Sequence, residues 1–165
     1  MRQLAWLCLI VWALPVGAAP RTWDFAGTPA DRKVLAGYRL DKARIERFVA
    51  VSEMCEATGK TNPALAKEVD SFAPANVTNK TIAQQIESFP DAFPRMAAEI
   101  QKQKYSARDL ILTSISVATA QLAFVGGEAP LDQLPDWIPA ENVRALKDNA
   151  ALLKPFLARR TRARD

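Results

Sequence analysis

The chain contains no histidine, so general acid and base chemistry falls to its carboxylates, its two tyrosines and its thiols. Glu53 and Glu56 stand at helical spacing, as do Asp132 and Asp136, while Tyr38 and Tyr105 are the phenols. Paired carboxylates work as acid and base only when burial or a neighbour drives their pKa values apart, and acids on a helix face ordinarily stay solvated. The pairs therefore read as solvated faces, and a carboxylate-dependent enzyme is the lesser alternative. Ser-His-Asp and Cys-His catalysis and His-rich metal sites are excluded outright. The sequence has neither an EF-hand loop nor a phosphate-binding glycine loop, because Gly126-Gly127 follows an apolar helical pattern and reads as its C-terminal stop. No catalytic residue, no cofactor-binding residue and no metal ligand is assigned.

Export is the strongest functional signal. Residues 1–19 have the form of a secretory signal peptide: Arg2, the unbroken apolar run Leu4 to Leu14, then Pro15 and the small residues Val16-Gly17-Ala18-Ala19. That run is far shorter than the roughly 20 residues that cross a bilayer, so cleavage near Ala18 or Ala19 is expected, followed by a periplasmic or secreted location. Cleavage would remove Cys8 and leave Cys55 as a lone thiol. An intramolecular disulfide would then be impossible, and packing must hold the fold. Ile45, Phe48, Ser52 and Cys55 share one helical stripe, which points to a buried small hydrophobe; a reactive free thiol is the sharper reading of Cys55.

These groups must be positioned by helices. Residues 20–39, with Trp23, Phe25, Gly27, Pro29 and Gly37, lack a sustained period and read as an N-terminal arm. A helical domain over 40–158 follows. Its first helix opens at Asp41 and stops at Gly59; Asn62-Pro63 caps a short second one that ends before Pro74. A third begins near Thr78 or Asn79, where two consecutive glycosylation sequons, Asn76-Val77-Thr78 and Asn79-Lys80-Thr81, make better sense as caps. It must end or kink at Pro90, and Asp91 is placed to cap the next, out to about Lys104.

Ser106-Ala107-Arg108-Asp109 has capping-box spacing and introduces the most apolar segment, a central helix over about 107–125. Its residues Thr113, Ser114, Ser116, Thr119 and Gln121 make it too polar for a membrane span, so no transmembrane segment is expected in the mature chain. Residues 127–139 form a rigid proline-marked loop around Trp137, and the last helix runs from near Ala140 with a break at Pro155. The fold class is all-α: a single-domain bundle of five to six helices around the central one.

The tail over 159–165 holds Arg159, Arg160, Arg162 and Arg164 against one acid, Asp165. Clustered guanidinium groups suit an anionic surface or an acidic partner, and a solvated terminus is the bland reading. Nucleic acid is set aside, since the arginines have no interleaved aromatics and the chain reads as exported. Trp137 is the better contact candidate, against the plainer role of capping the bundle.

The runs Tyr105-Ser106-Ala107-Arg108-Asp109, Leu112-Thr113 and Ile138-Pro139-Ala140-Glu141-Asn142-Val143 resemble small exported helical proteins of Gram-negative bacteria that have no assigned activity. The resemblance covers roughly residues 38–157, rests mainly on caps and core positions, and does not extend to the arginine tail. It implies a bacterial, periplasmic or secreted protein and supplies no catalytic residue. Together these readings favour a non-enzymatic exported module that binds a protein partner or serves the cell envelope. A carrier of a small apolar ligand, suggested by the Ser- and Thr-bearing central helix, is the first alternative.

Overall fold

Thr28-Pro29-Ala30-Asp31 starts a helix, α1 (Pro29–Gly37), inside the stretch that reads as an arm. The arm reading fails over these residues because a nine-residue helix is too short to show a period, while its start is strongly specified. Thr28 and Asp31 form a capping box, and Pro29 is preset for the first turn. The computed structural model describes residues 27–72, 80–124 and 128–154, and every regular element among them is helical. The signal segment 1–19, the arm residues 20–26 and the sequon positions Asn76 and Asn79 lie outside the described residues. So do Gly126, Gly127, Pro155 and the arginine tail.

Helix α2 (Lys42–Gly59) is capped by Asp41 and turns Ile45, Phe48, Val51 and Cys55 inward. Gly59 lies at the close approach of α2 to α3 (Pro63–Ser71), where a Cβ would come within 3.3 Å of the Ala66 Cα and crowd the neighbouring backbone. Asn62 caps α3 through the Leu65 amide, as its place before Pro63 foretells.

Helix α4 (Ile82–Ala92) starts later than expected, capped by Thr81 in a capping box with Gln84. Pro90 does not end it. The proline sits in the last turn, and the helix closes at Phe93, whose amide donates to the Phe89 carbonyl. Phe72, Phe89 and Phe93 pack ring against ring at this corner, with centroids 5.4 to 5.8 Å apart, which fixes the chain direction. Asp91 is consequently still helical and caps nothing.

The next helix, α5 (Pro94–Lys102), has no cap side chain at Phe93. Glu68 of α3 supplies the missing acceptor, taking the Met96 amide at 2.9 Å and the Arg95 guanidinium at 3.1 Å. Asp31 acts likewise toward α4, accepting from the Ile82 amide at 2.8 Å while its other oxygen takes the Thr28 amide and hydroxyl. Two helix N-termini are thus closed by carboxylates from distant elements, which satisfies orphan donors and places negative charge at the positive ends of helix dipoles.

Helix α6 (Ala107–Gln121) begins at Ser106 as its sequence indicates, and continues as a 3-10 turn over Leu122–Phe124. Every residue from Leu110 to Val117 is buried, and α6 packs against α2, α4 and α7 (Ala140–Asp148). Burying a side chain such as Leu112 or Ile115 contributes about 1.5–3 kcal/mol relative to exposure. Helix α7 stops at Asn149, and a second helical stretch over 150–154 turns Leu153 into the core; the kink or break expected around Pro155 falls outside the described residues.

Candidate functional site

Tyr38 follows α1, Tyr105 lies between α5 and α6, and Thr113 sits at the middle of α6. The fold brings all three hydroxyls together. The Tyr38 and Thr113 hydroxyl oxygens are 2.8 Å apart, and the Tyr105 hydroxyl donates to Thr113 Oγ1 at 3.3 Å. Both rings are nearly sealed, at 6% and 5% exposed. Burial, partly offset by the Thr113 hydrogen bond, raises the Tyr38 pKa, and the same pair of effects pushes Tyr105 up to about 12.

Two arginines of α2 roof this node. The Arg44 guanidinium lies 4.8 Å from the centre of the Tyr38 ring, and that of Arg47 lies 5.5 Å from the Tyr105 ring. Arg44 also donates to the Arg39 carbonyl, and Arg47 donates to the carbonyls of Gln103 and Lys104 that end α5. Asn142 of α7 braces the same corner, accepting from the Leu40 amide at 2.7 Å and donating to the Tyr38 carbonyl at 2.9 Å. Tyr38 and Tyr105 stand out in sequence as the only phenols. Their meeting on Thr113 under two arginines leaves no local signal, since it depends on how three separated segments pack.

Chemically the node is a rigid tie. Buried phenols whose pKa is raised above the ordinary value are donors and acceptors of structural hydrogen bonds and not bases at neutral pH.

No family model matches the chain, and neither a curated protein nor a solved structure does. The residues alone carry the functional reading.

Trp137 is 8% exposed and forms part of a groove of about 540 Å³ with Pro135, Asp136 and the α1 residues Arg32, Lys33 and Ala36. The apolar part is Ala36, Pro135 and Trp137, and charged side chains of both signs line the same groove. The proline-marked loop holds its position through Ile138, 3% exposed, and through the Ile138 amide, which donates to the Pro135 carbonyl at 2.8 Å. Glu128 pairs with Lys147 of α7 at 2.8 Å. Trp137 therefore both caps the helices and lines an accessible depression, and α1 supplies the opposite wall that an arm reading misses.

Cys55 is a free, buried thiol, 3% exposed. Burial and the charges of Glu99 and Glu56 push its pKa up to about 11, the opposite of what a reactive thiol needs. Glu53 and Glu56 are half-buried on α2, whereas Asp132 and Asp136 are exposed in the loop. Among the described residues the two buried carboxylates, Asp31 and Glu68, are both engaged in closing helix ends. On the central helix, Thr113 serves the tyrosines, Thr119 donates to the Ser116 carbonyl, and the buried Ser116 hydroxyl has no partner. Among the described residues no group of His, Cys, Asp or Glu could hold a metal ion, and no helix is long and apolar enough to cross a membrane.

Proposed function

We propose that the protein is an exported, non-enzymatic helical module that binds a protein partner in the groove between α1 and the proline-marked loop. The observation that carries this reading is the groove itself, an apolar strip of Ala36, Pro135 and Trp137 flanked by Arg32 and Lys33 on one wall and Asp136 on the other. Such a surface fits an extended segment with an apolar side chain for the strip and a carboxylate for the basic wall. Export rests on the leader-like residues 1–19, and the periplasm or the exterior is the proposed location. The resemblance to small exported helical proteins of Gram-negative bacteria agrees with it. The engagement of Asp31, Glu68 and both phenols in structural bonds supports a binding role over catalysis. A single bundle built around α6 is the architecture proposed for this module.

A photoreactive residue at Ala36, with one at the exposed Ala43 of α2 as control, tests the reading in fractionated cells. Expected is a single protein adduct from Ala36 alone, in the exported fraction, lost when Lys33→Glu is added. Equal labelling at both positions, or a chain retained in the cytosol, overturns it. A small-molecule mass carried by the native protein in mass spectrometry would favour ligand carriage instead.

A further inference from the structure

The groove beside α1 opens within reach of the chain that enters that helix. Pro20-Arg21-Thr22-Trp23-Asp24-Phe25-Ala26 immediately precede Gly27 and Thr28. Thr28 is fixed as the cap of α1, its amide donating to the Asp31 carboxylate at 2.9 Å, so the segment 20–26 is anchored at the start of the helix that forms one wall. At about 1.5 Å per residue, the groove residues Lys33 and Ala36 stand about 8 Å and about 12 Å along the axis from that cap. An extended chain spans about 3.3 Å per residue, so Phe25 reaches about 10 Å from Thr28 and Trp23 about 16 Å. The reversal that this path needs falls at Gly27, where the missing Cβ leaves the backbone free to turn. Residues two apart in an extended chain share a side, so Trp23 and Phe25 face one way and Asp24 the other.

We propose that the segment 20–26 is the resident occupant of the groove, seating Trp23 and Phe25 on the strip of Ala36, Pro135 and Trp137 with Asp24 turned to the rim at Lys33. The proposal rests on the groove reading and names what fills that site when no partner is bound. The groove measures about 540 Å³, within the roughly 300–1,000 Å³ of sites that enclose compact apolar groups. Attachment to Thr28 makes the contact intramolecular, with an effective concentration on the order of millimolar, so a weak match is enough to fill it. The arginine tail is the poorer occupant, because its four guanidinium groups meet the like charges of Arg32 and Lys33. A partner then binds by displacing the segment, and its apparent affinity is lowered by the fraction of grooves that are filled.

The test places a photoreactive residue at Ala36 of the purified chain at high dilution, with Ala43 as control. Expected is a link from Ala36, and none from Ala43, to residues 20–26 of the same chain, mapped by mass spectrometry. Trp23→Ala with Phe25→Ala should cut its yield at least about fivefold. The same pair should raise partner capture at Ala36 in cells by a similar factor. A link to the arginine tail, or one that joins two copies, overturns the proposal. Fluorine NMR of the 5-fluorotryptophan protein reads the intact groove and decides the matter where the photoreactive group forms no link. The Trp137 resonance, assigned through Trp137→Phe, should move in Phe25→Ala and stay in place in Thr22→Ala. An unmoved resonance in Phe25→Ala overturns the proposal. Partner capture at Ala36 without the segment in the groove removes this inference and leaves the groove reading standing. A linked segment with no partner captured by either chain does the reverse.

Discussion

The hydroxyls of Tyr38 and Thr113 lie 2.8 Å apart although 75 positions separate them in sequence, and Tyr105 donates to the same threonine oxygen. One side chain on α6 thereby ties the end of α1 and the α5 to α6 turn to the core. Thr113→Val keeps the shape and removes the shared partner, leaving two sealed phenols short of a bond. A loss of about 2–3 kcal/mol is expected in urea denaturation. Tyr38→Phe in the valine background should then cost little more, and a large additional loss would contradict the tie.

Glu68 closes α5 from a different helix, so its effect should be felt at a distance. Glu68→Ala strands the Met96 amide and removes the partner of Arg95, and about 2 kcal/mol of destabilisation is expected. Hydrogen exchange should rise first in the early turns of α5. Loss confined to α3 would argue against the cap.

How much of this was legible beforehand depended on whether a signal was local. Asp41, Asn62 and Ser106 each cap their own helix and are read directly from spacing. The inward stripe Ile45, Phe48 and Cys55 and the buried run on α6 follow from periodicity. Thr28-Pro29-Ala30-Asp31 carried the same kind of capping signal, but a helix of nine residues offers no period to confirm it. Pro90 marked the end of α4 to within a turn, because proline cannot carry the backbone ladder far past itself, but it stands in the last turn of the helix and is not its last residue. The caps supplied by Asp31 and Glu68, the node on Thr113 and the opposite wall of the Trp137 groove are products of packing between segments far apart in the chain. No window of sequence contains both halves of any of them.

Burial and a raised pKa should make Cys55 inert while the protein is folded. In a Cys8→Ser background, labelling by a disulfide reagent at pH 8 is expected to be very slow without denaturant and rapid in 6 M guanidinium, where the thiol regains its ordinary acidity. Rapid labelling of the native protein would mean that α2 opens locally or that the thiol is exposed.

Because Tyr38 and Tyr105 are the only tyrosines in the chain, phenolate absorbance at 295 nm reports on the node alone. In the folded protein both phenols should ionise above the ordinary value of 10, Tyr105 near 12, and in denaturant both should return to about 10. The sign of the linked stability follows. Between these values the unfolded chain has released protons that the native state still holds, so stability is complete below about pH 10 and is lost as pH rises through the folded pKa values. Alkaline unfolding should therefore set in between pH 10 and 12, with the absorbance change sharpened by cooperative exposure of both rings. Thr113→Val removes the hydrogen bond that lowers both pKa values, so while that variant stays folded its phenols should ionise at still higher pH. Ionisation of either phenol near 10 in the native wild-type protein would show that the node is open to water.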